Sequence, residues 1–295
     1  MQNIRMGGLP MKNDILKLLQ REIIPTIGSV ELANVALCTA YAASTVGGWA
    51  QEIELEVSPE IMERGKRDRI PELNRVGLEY AAALGTVLLN PDRRCLLMAE
   101  ITDEAIEKAT MPEVKQHTHV TLRRNRSPWY VRARVYTDWG IGTAEILEYP
   151  GDIVLLQIAA RKVWEKEPEQ KDQEVLQKKT VAELTEEQLD KVISEYSEKD
   201  LYFLKPGLDY TRNLLHEITE DLSGSKSVDE LADEIEREVR RGTKLPCMTA
   251  GYSIRDGIIL YLKGILFQKE NDDMETVLRY LAKEGCKILA KNANR

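Results

Sequence analysis

The run Pro25-Thr-Ile-Gly-Ser-Val-Glu31 offers the best local setting for chemistry in this sequence. It joins two apolar segments with helical spacing and puts Ser29 just ahead of the second, where unpaired backbone N–H groups and the helix dipole favour an anion or an activated oxygen. The same residues also read as an ordinary helix start, with Ser29 as N-cap and Glu31 in the first turn. Spacing alone favours that plainer reading.

The other candidates are weaker. His117 and His119 stand two apart in an alternating stretch, so a strand would put both on one face and offer two metal ligands. No third ligand lies nearby in sequence, so no metal site is expected and a polar sheet face accounts for both. His216 has no Cys or Ser partner at a recognised spacing. From Lys115 to Tyr136 the basic residues, including Arg123, Arg124, Arg126, Arg132 and Arg134, occur without an acid and are interleaved with Trp129 and Tyr130. An anion or nucleic-acid patch and the exposed face of an antiparallel sheet both produce that pattern, and the sheet face is the expectation. Gly140-Ile-Gly142 lacks the third glycine of a dinucleotide loop and reads as a hairpin turn. Cys38, Cys95, Cys247 and Cys286 are scattered, with no C-x-x-C pair, as in a reduced protein with buried or incidental thiols.

Certain elements must position these residues. Asp14–Ile24 has its apolar residues at helical spacing and should stop at Pro25; Glu31–Ala43 is Ala-, Val- and Leu-rich with few charges and reads as a buried helix. Gln51–Ser58 alternates strictly, Ile53, Leu55 and Val57 against Glu52, Glu54 and Glu56, as a half-buried strand does. Pro59–Glu63 starts a short helix, Gly65-Lys-Arg-Asp-Arg69 is a charged loop, and Gly77–Leu89 is a second buried helix. Leu96–Ile101 reads as a strand, and Thr102 caps a short helix over Asp103–Ala109. Residues 114–160 read as an antiparallel sheet of about four strands, with a hairpin loop at Arg124-Asn-Arg-Ser-Pro128 and the β content ending there. Beyond it, a charged linker precedes a helix from Thr185 to Tyr196, and helices follow over Leu208–Leu222, Ser227–Arg240, Ser253–Phe267 and Met274–Leu289, with Ser227 and Glu230 as a capping box.

With 43% hydrophobic and 31% charged residues in 295, the chain can build a globular core and lacks an apolar run long enough for a membrane span. A net charge of -8 opposes long-range attraction to nucleic acid or an anionic membrane. No secretory signal is read at the N-terminus, so the cytoplasm is the expected compartment.

At the turn around Ser29 the sequence resembles a known family. Glu22-x-x-Pro25-x-x-Gly28-Ser29-Val30-Glu31, followed by an Ala-rich helix, is similar to the start of the L-cysteine desulfidases, relatives of the iron–sulfur L-serine dehydratase α chain, where the run reads P-x-x-G-C-T-E-P. The likeness continues in order through Val57-Ser-Pro59 with Met62 and Gly65, Ile70-Pro71, Gly77-Leu78 with Ala81-Ala-Ala-Leu-Gly85, and Arg132-Ala-Arg-Val-Tyr136. It covers roughly residues 12–160, with a weaker echo to Arg255-Asp-Gly257. The resemblance implies a β-elimination lyase that converts cysteine to pyruvate, ammonia and sulfide on a four-iron, four-sulfur cluster, one iron acting as Lewis acid.

The departures are as telling. The family's first cluster cysteine falls on Ser29, its Thr on Val30 and its Pro on Leu32, with Glu31 alone kept. A hydroxyl is a hard, poor ligand where thiolate is needed. The family's G-x-H-T-N-I segment corresponds to Tyr149-Pro-Gly-Asp-Ile153, with Asp152 as a polar substitute, and the glycine- and serine-rich segment with the remaining cluster cysteines has no counterpart here.

These readings predict an α+β protein: residues 1–160 as buried helices against a small antiparallel sheet, 161–206 as a charged linker and surface helix, and 207–295 as a helical region. The leading functional expectation is a diverged relative of this group that binds no cofactor by itself. Ser29, Glu31 and Asp152 would be its catalytic remnants, and Gly28, Arg64 and Lys66 would help hold a small polar, amino-acid-like ligand. A complementary subunit or a homo-oligomer is the expected partner. Two alternatives stand beside it: an active β-elimination lyase completed by a partner chain or a relocated metal site, and a non-catalytic scaffold using the Arg-rich sheet face.

Overall fold

A computed structural model describes residues 12–167, 181–218, 226–251 and 253–292. The chain forms two compact units, Pro25–Glu167 with Glu234–Cys247, called the sheet unit below, and Met1–Ile24, Pro168–Asp233 and Met248–Arg295, called the helical unit.

In chain order, α1 (Lys12–Glu22) belongs to the helical unit and buries Ile15, Leu18 and Leu19. It ends three residues before Pro25, which lies within β1 (Ile23–Ile27), so a short strand stands where a plain turn is expected. The sheet unit is built around α2 (Val30–Val46), whose single charge is Glu31 and which is buried nearly all round. Then come β2 (Ala50–Val57), α3 (Pro59–Gly65) and α4 (Leu78–Leu88). Alanines along α2 and α4 let the two backbones pack closely. A Cβ on Gly85 would stand 2.1 Å from the Ala36 carbonyl oxygen, so only glycine fits that crossing.

Pro91–Glu100 winds as 3-10 turns with a kink at Arg94 and buries Cys95, Leu97 and Met98, where a strand over Leu96–Ile101 is expected. The expected Thr102 cap holds, accepting from the Ala105 N–H at 3.2 Å at the start of α5 (Asp103–Ala109). After α6 (Pro112–Gln116) come β3 (Thr118–Leu122), β4 (Val131–Thr137), β5 (Gly140–Ile146), β6 (Ile153–Ile158) and β7 (Arg161–Glu165).

These strands and β2 form a six-stranded sheet in the order β3-β2-β4-β5-β6-β7. The expected hairpin between β3 and β4 does not form: β2 lies between them, parallel to β3 and antiparallel to β4. The alternation of β2 explains the insertion. Its inner face, Ile53, Leu55 and Val57, meets Val135, Ala133 and Val131, while Glu54 and Glu56 stand opposite Arg134 and Arg132. A β3–β4 hairpin would have denied those glutamates their arginines. The β content also runs past residue 160, through the exposed edge strand β7 and through β8 (Pro246–Ala250), which pairs with β1 in a two-stranded sheet.

The helical unit contains α7 (Glu186–Ser194), α8 (Glu198–Leu201) and α9 (Lys205–Ile218); α10 (Val228–Arg240) is shared between the units by chain position, and α11 (Ile254–Gln268) and α12 (Met274–Asn292) follow. Capping boxes start α7 at Thr185 and α10 at Ser227, where the Glu230 carboxylate accepts the Ser227 N–H at 2.7 Å. Arg279 on α12 donates to the Tyr196 carbonyl at 2.8 and 3.0 Å, tying α12 to the end of α7. Residues 168–180 of the expected linker and 219–222 of the expected helix lie outside the described residues. Among the described residues, no helix is long and apolar enough to cross a membrane.

Candidate functional site

At the Pro25–Glu31 turn, Gly28 has φ +64°, and a Cβ there would lie 2.8 Å from Pro71 Cγ; glycine is required both for conformation and for the close approach. Ser29 takes the N-cap position of α2, but its hydroxyl does not cap the helix. It donates instead to Glu31 Oε2 at 2.7 Å, with both residues buried.

Three further segments of the sheet unit converge on this pair. From α3, Arg64 brings Nε to 3.7 Å from Glu31 Oε1. The loop after α3 brings Asp68, which is 2% exposed. From the end of α10, Arg240 lies 2.8 Å from Asp68 Oδ2 and 3.5 Å from Glu31 Oε2, and its Nε is 2.9 Å from Glu236 Oε1. Burial pushes the Asp68 carboxyl above its usual range, against the pull of the Arg240 guanidinium. Burial likewise works against the charge on Arg240, but Glu31, Asp68 and Glu236 outweigh it and hold the guanidinium above its ordinary value. Three carboxylates thus face two guanidinium groups, Arg64 and Arg240. The site carries a surplus of negative charge.

The residues expected to act together are divided by the fold. Gly28, Ser29, Glu31 and Arg64 share the site. Lys66 is exposed and lines a separate cavity of about 400 Å3 with Met62, Gly65, Val76, Gly77 and Leu78. Asp152, in the turn before β6, is gripped by Lys166, 3.1 Å from each carboxylate oxygen. Its neighbour Gly151 donates its N–H to Asn34 Oδ1 on α2 at 2.8 Å, so this turn is fastened to the same helix that carries Glu31. Sequence reasoning missed Asp68, Glu236 and Arg240. Arg240 meets Asp68 across 172 positions, and locally one reads as part of a charged loop and the other as a basic helix end.

Three arginines of the basic run 115–136 are paired with acids. Arg123 pairs with Glu56 at 2.6 Å, Arg134 with Glu54 at 3.3 Å and Arg132 with Glu145 at 3.9 Å, and the Tyr130 hydroxyl donates to Glu56 at 3.2 Å. Arg123 draws the Glu56 carboxyl below its ordinary value. His119 faces Glu52 at 3.4 Å, whereas His117 follows α6 and stands just before β3. His216 is exposed on α9.

An iron–sulfur cluster needs thiolates that converge. Here Cys38 lies on α2, Cys95 in the 3-10 segment, Cys247 on β8 and Cys286 on α12, all buried. Burial pushes Cys95, Cys247 and Cys286 up to about 12 and Cys38 higher still, so the thiols stay protonated. Among the described residues, no group of three or more His, Cys, Asp or Glu could hold a metal ion. With Ser29 in the place of the first ligand, these residues do not fit the cluster that the resemblance implies.

The chain is similar to proteins described as UPF0597. It is 24% identical over 292 residues to one from Clostridium botulinum strain Langeland, covering 92% of this chain and 68% of that one. It is 31% identical over 114 residues to one from Bacteroides thetaiotaomicron, covering 39% and 27%, and 30% identical over 149 residues to one from Alkaliphilus oremlandii, covering 50% and 35%. Those descriptions name no activity. No protein-family model matches the chain, and no solved structure matches it.

Proposed function

We propose that this chain binds a small zwitterionic, amino-acid-like ligand at the turn formed by Gly28, Ser29, Glu31 and Arg64, and does not by itself run the iron–sulfur β-elimination of the group it resembles. One observation carries this reading: the surplus carboxylate among Glu31, Asp68 and Glu236 suits an ammonium group, while Arg64, 39% exposed and 3.7 Å from Glu31, keeps guanidinium N–H groups for a carboxylate. Opposite charges at the two ends of one ligand would thus find opposite partners a few ångströms apart. The hydroxyl that replaces the family's thiol is already engaged with Glu31, which leaves ligand binding, rather than cluster chemistry, as the role these residues support.

Calorimetric titration of the anaerobically purified protein with L-cysteine and L-serine, together with iron and sulfide analysis, tests both parts. The expected result is binding of at least one amino acid, weakened about tenfold in Arg64→Ala as one charge-assisted contact is lost, with no iron bound. Absence of binding at millimolar ligand, or equal binding by Arg64→Ala, overturns the ligand site. Stoichiometric iron with sulfide release from cysteine overturns the silent-lyase reading.

A further inference from the structure

A second cavity, of about 490 Å3, lies within the sheet unit, between the start of β2, the end of α4 and the α5–α6 region. Its size falls in the range of about 300–1,000 Å3 typical of small-molecule sites. Its lining is mainly apolar, with Ile53 from β2, Ala83 and Val87 from α4, and Met111 and Val114 around α6, while Lys108 and Glu113 add one charge of each sign. Trp49 forms part of the wall and is 77% exposed, although burying such a large apolar ring is favourable. It is held there by the backbone, its N–H donating to Asp138 Oδ1 at 3.0 Å. Lys108, also on the wall, sets its ammonium 5.8 Å from the centre of the Trp49 ring. That ammonium pairs with Glu104 at 2.7 Å, but the glutamate is 75% exposed. Such an exposed pair is weak and is readily exchanged for another acid.

We propose that this cavity binds a flat, mainly aromatic molecule carrying one acidic group, its ring against Trp49 and its carboxylate or sulfonate on Lys108. The ring would cover the apolar lining beside Trp49, and the acid would replace Glu104 on a cation that already lines the cavity next to that ring. This is a site apart from the Ser29–Glu31–Arg64 turn, with a different ligand chemistry, and it does not depend on what that turn holds.

Fluorescence titration with 8-anilinonaphthalene-1-sulfonate, and with its uncharged analogue N-phenyl-1-naphthylamine, tests the proposal on the full chain. The sulfonate dye is expected to bind saturably at one site, about tenfold more weakly in Trp49→Ala, and not at all in Thr86→Phe, which fills the cavity from α4. Lys108→Gln should weaken the sulfonate dye about fivefold and leave the uncharged dye unchanged. Trp139→Ala removes another exposed indole, one outside the lining, and should bind both dyes as the parent does. Absence of saturable binding, or undiminished binding by Trp49→Ala, overturns the site; should Thr86→Phe fail to fold, the exposed Trp49 substitution still decides. Equal responses of the two dyes to Lys108→Gln overturn the acidic end of the ligand.

Discussion

Replacing Arg240 with methionine removes the cation that three carboxylates share while keeping most of its length. Asp68 loses its ion-pair partner at 2.8 Å and is itself only 2% exposed. Stripping one partner from a buried ion pair costs about 3–5 kcal/mol, because the remaining charge can neither hydrate nor pair. Glu31 keeps Ser29 and Arg64, and the Glu236 side chain is 21% exposed, so the expected loss lies near the lower end, about 3 kcal/mol. The pH dependence has a definite sign. Burial already holds the Asp68 carboxyl above its ordinary 3.8, so in the folded state its charged form is disfavoured and its contribution falls as pH rises through the folded value. Without the opposing guanidinium the folded value climbs further. The loss in Arg240→Met is therefore greatest near neutral pH and shrinks in acid, where Asp68 is protonated. All four tryptophans, Trp49, Trp129, Trp139 and Trp164, lie in the sheet unit, so their fluorescence in urea follows the unit that contains the site. A loss below about 1 kcal/mol at neutral pH, or one that does not shrink as the pH is lowered, would refute the buried-charge argument. Adding Asp68→Asn to Arg240→Met should recover about 1–2 kcal/mol, since the orphaned charge is then gone.

Gly28→Ala should lower stability by about 1–3 kcal/mol, measured by the same urea transition, because it combines a left-handed backbone with a Cβ 2.8 Å from Pro71. Ser29→Cys restores the thiol at the family's first ligand position, yet anaerobic reconstitution should give no stoichiometric iron and no brown absorbance, since the other thiols do not gather around it. Ellman's reagent should find the four cysteines unreactive in the native protein at pH 7 and all reactive in denaturant, because burial both raises their pKa values and bars the reagent. Rapid labelling of even one native thiol would contradict that burial.

Elements whose cause is local were legible in the chain. The charge-poor run at Glu31–Ala43 had to become a buried helix, and the strict alternation of Gln51–Ser58 had to become a strand with one wet face, because side-chain period and burial are tied within a few residues. The caps at Thr102, Thr185 and Ser227 are legible for the same reason: donor and acceptor stand three positions apart. The role of Gly28 was partly visible as a turn glycine, but the Pro71 ring that makes it necessary was not. The remaining features depend on partners far apart in the chain. The insertion of β2 between β3 and β4 paired Arg123 and Arg134 of an apparently basic stretch with Glu56 and Glu54, since neutralisation depends on which strands lie side by side and not on the composition of one strand. In the same way Ser29, which reads as a helix cap, became a donor to Glu31 inside a charge cluster completed by Asp68 and Arg240. No local pattern encodes that meeting, because a buried charge is tolerable only once its distant counter-charge has been brought to it.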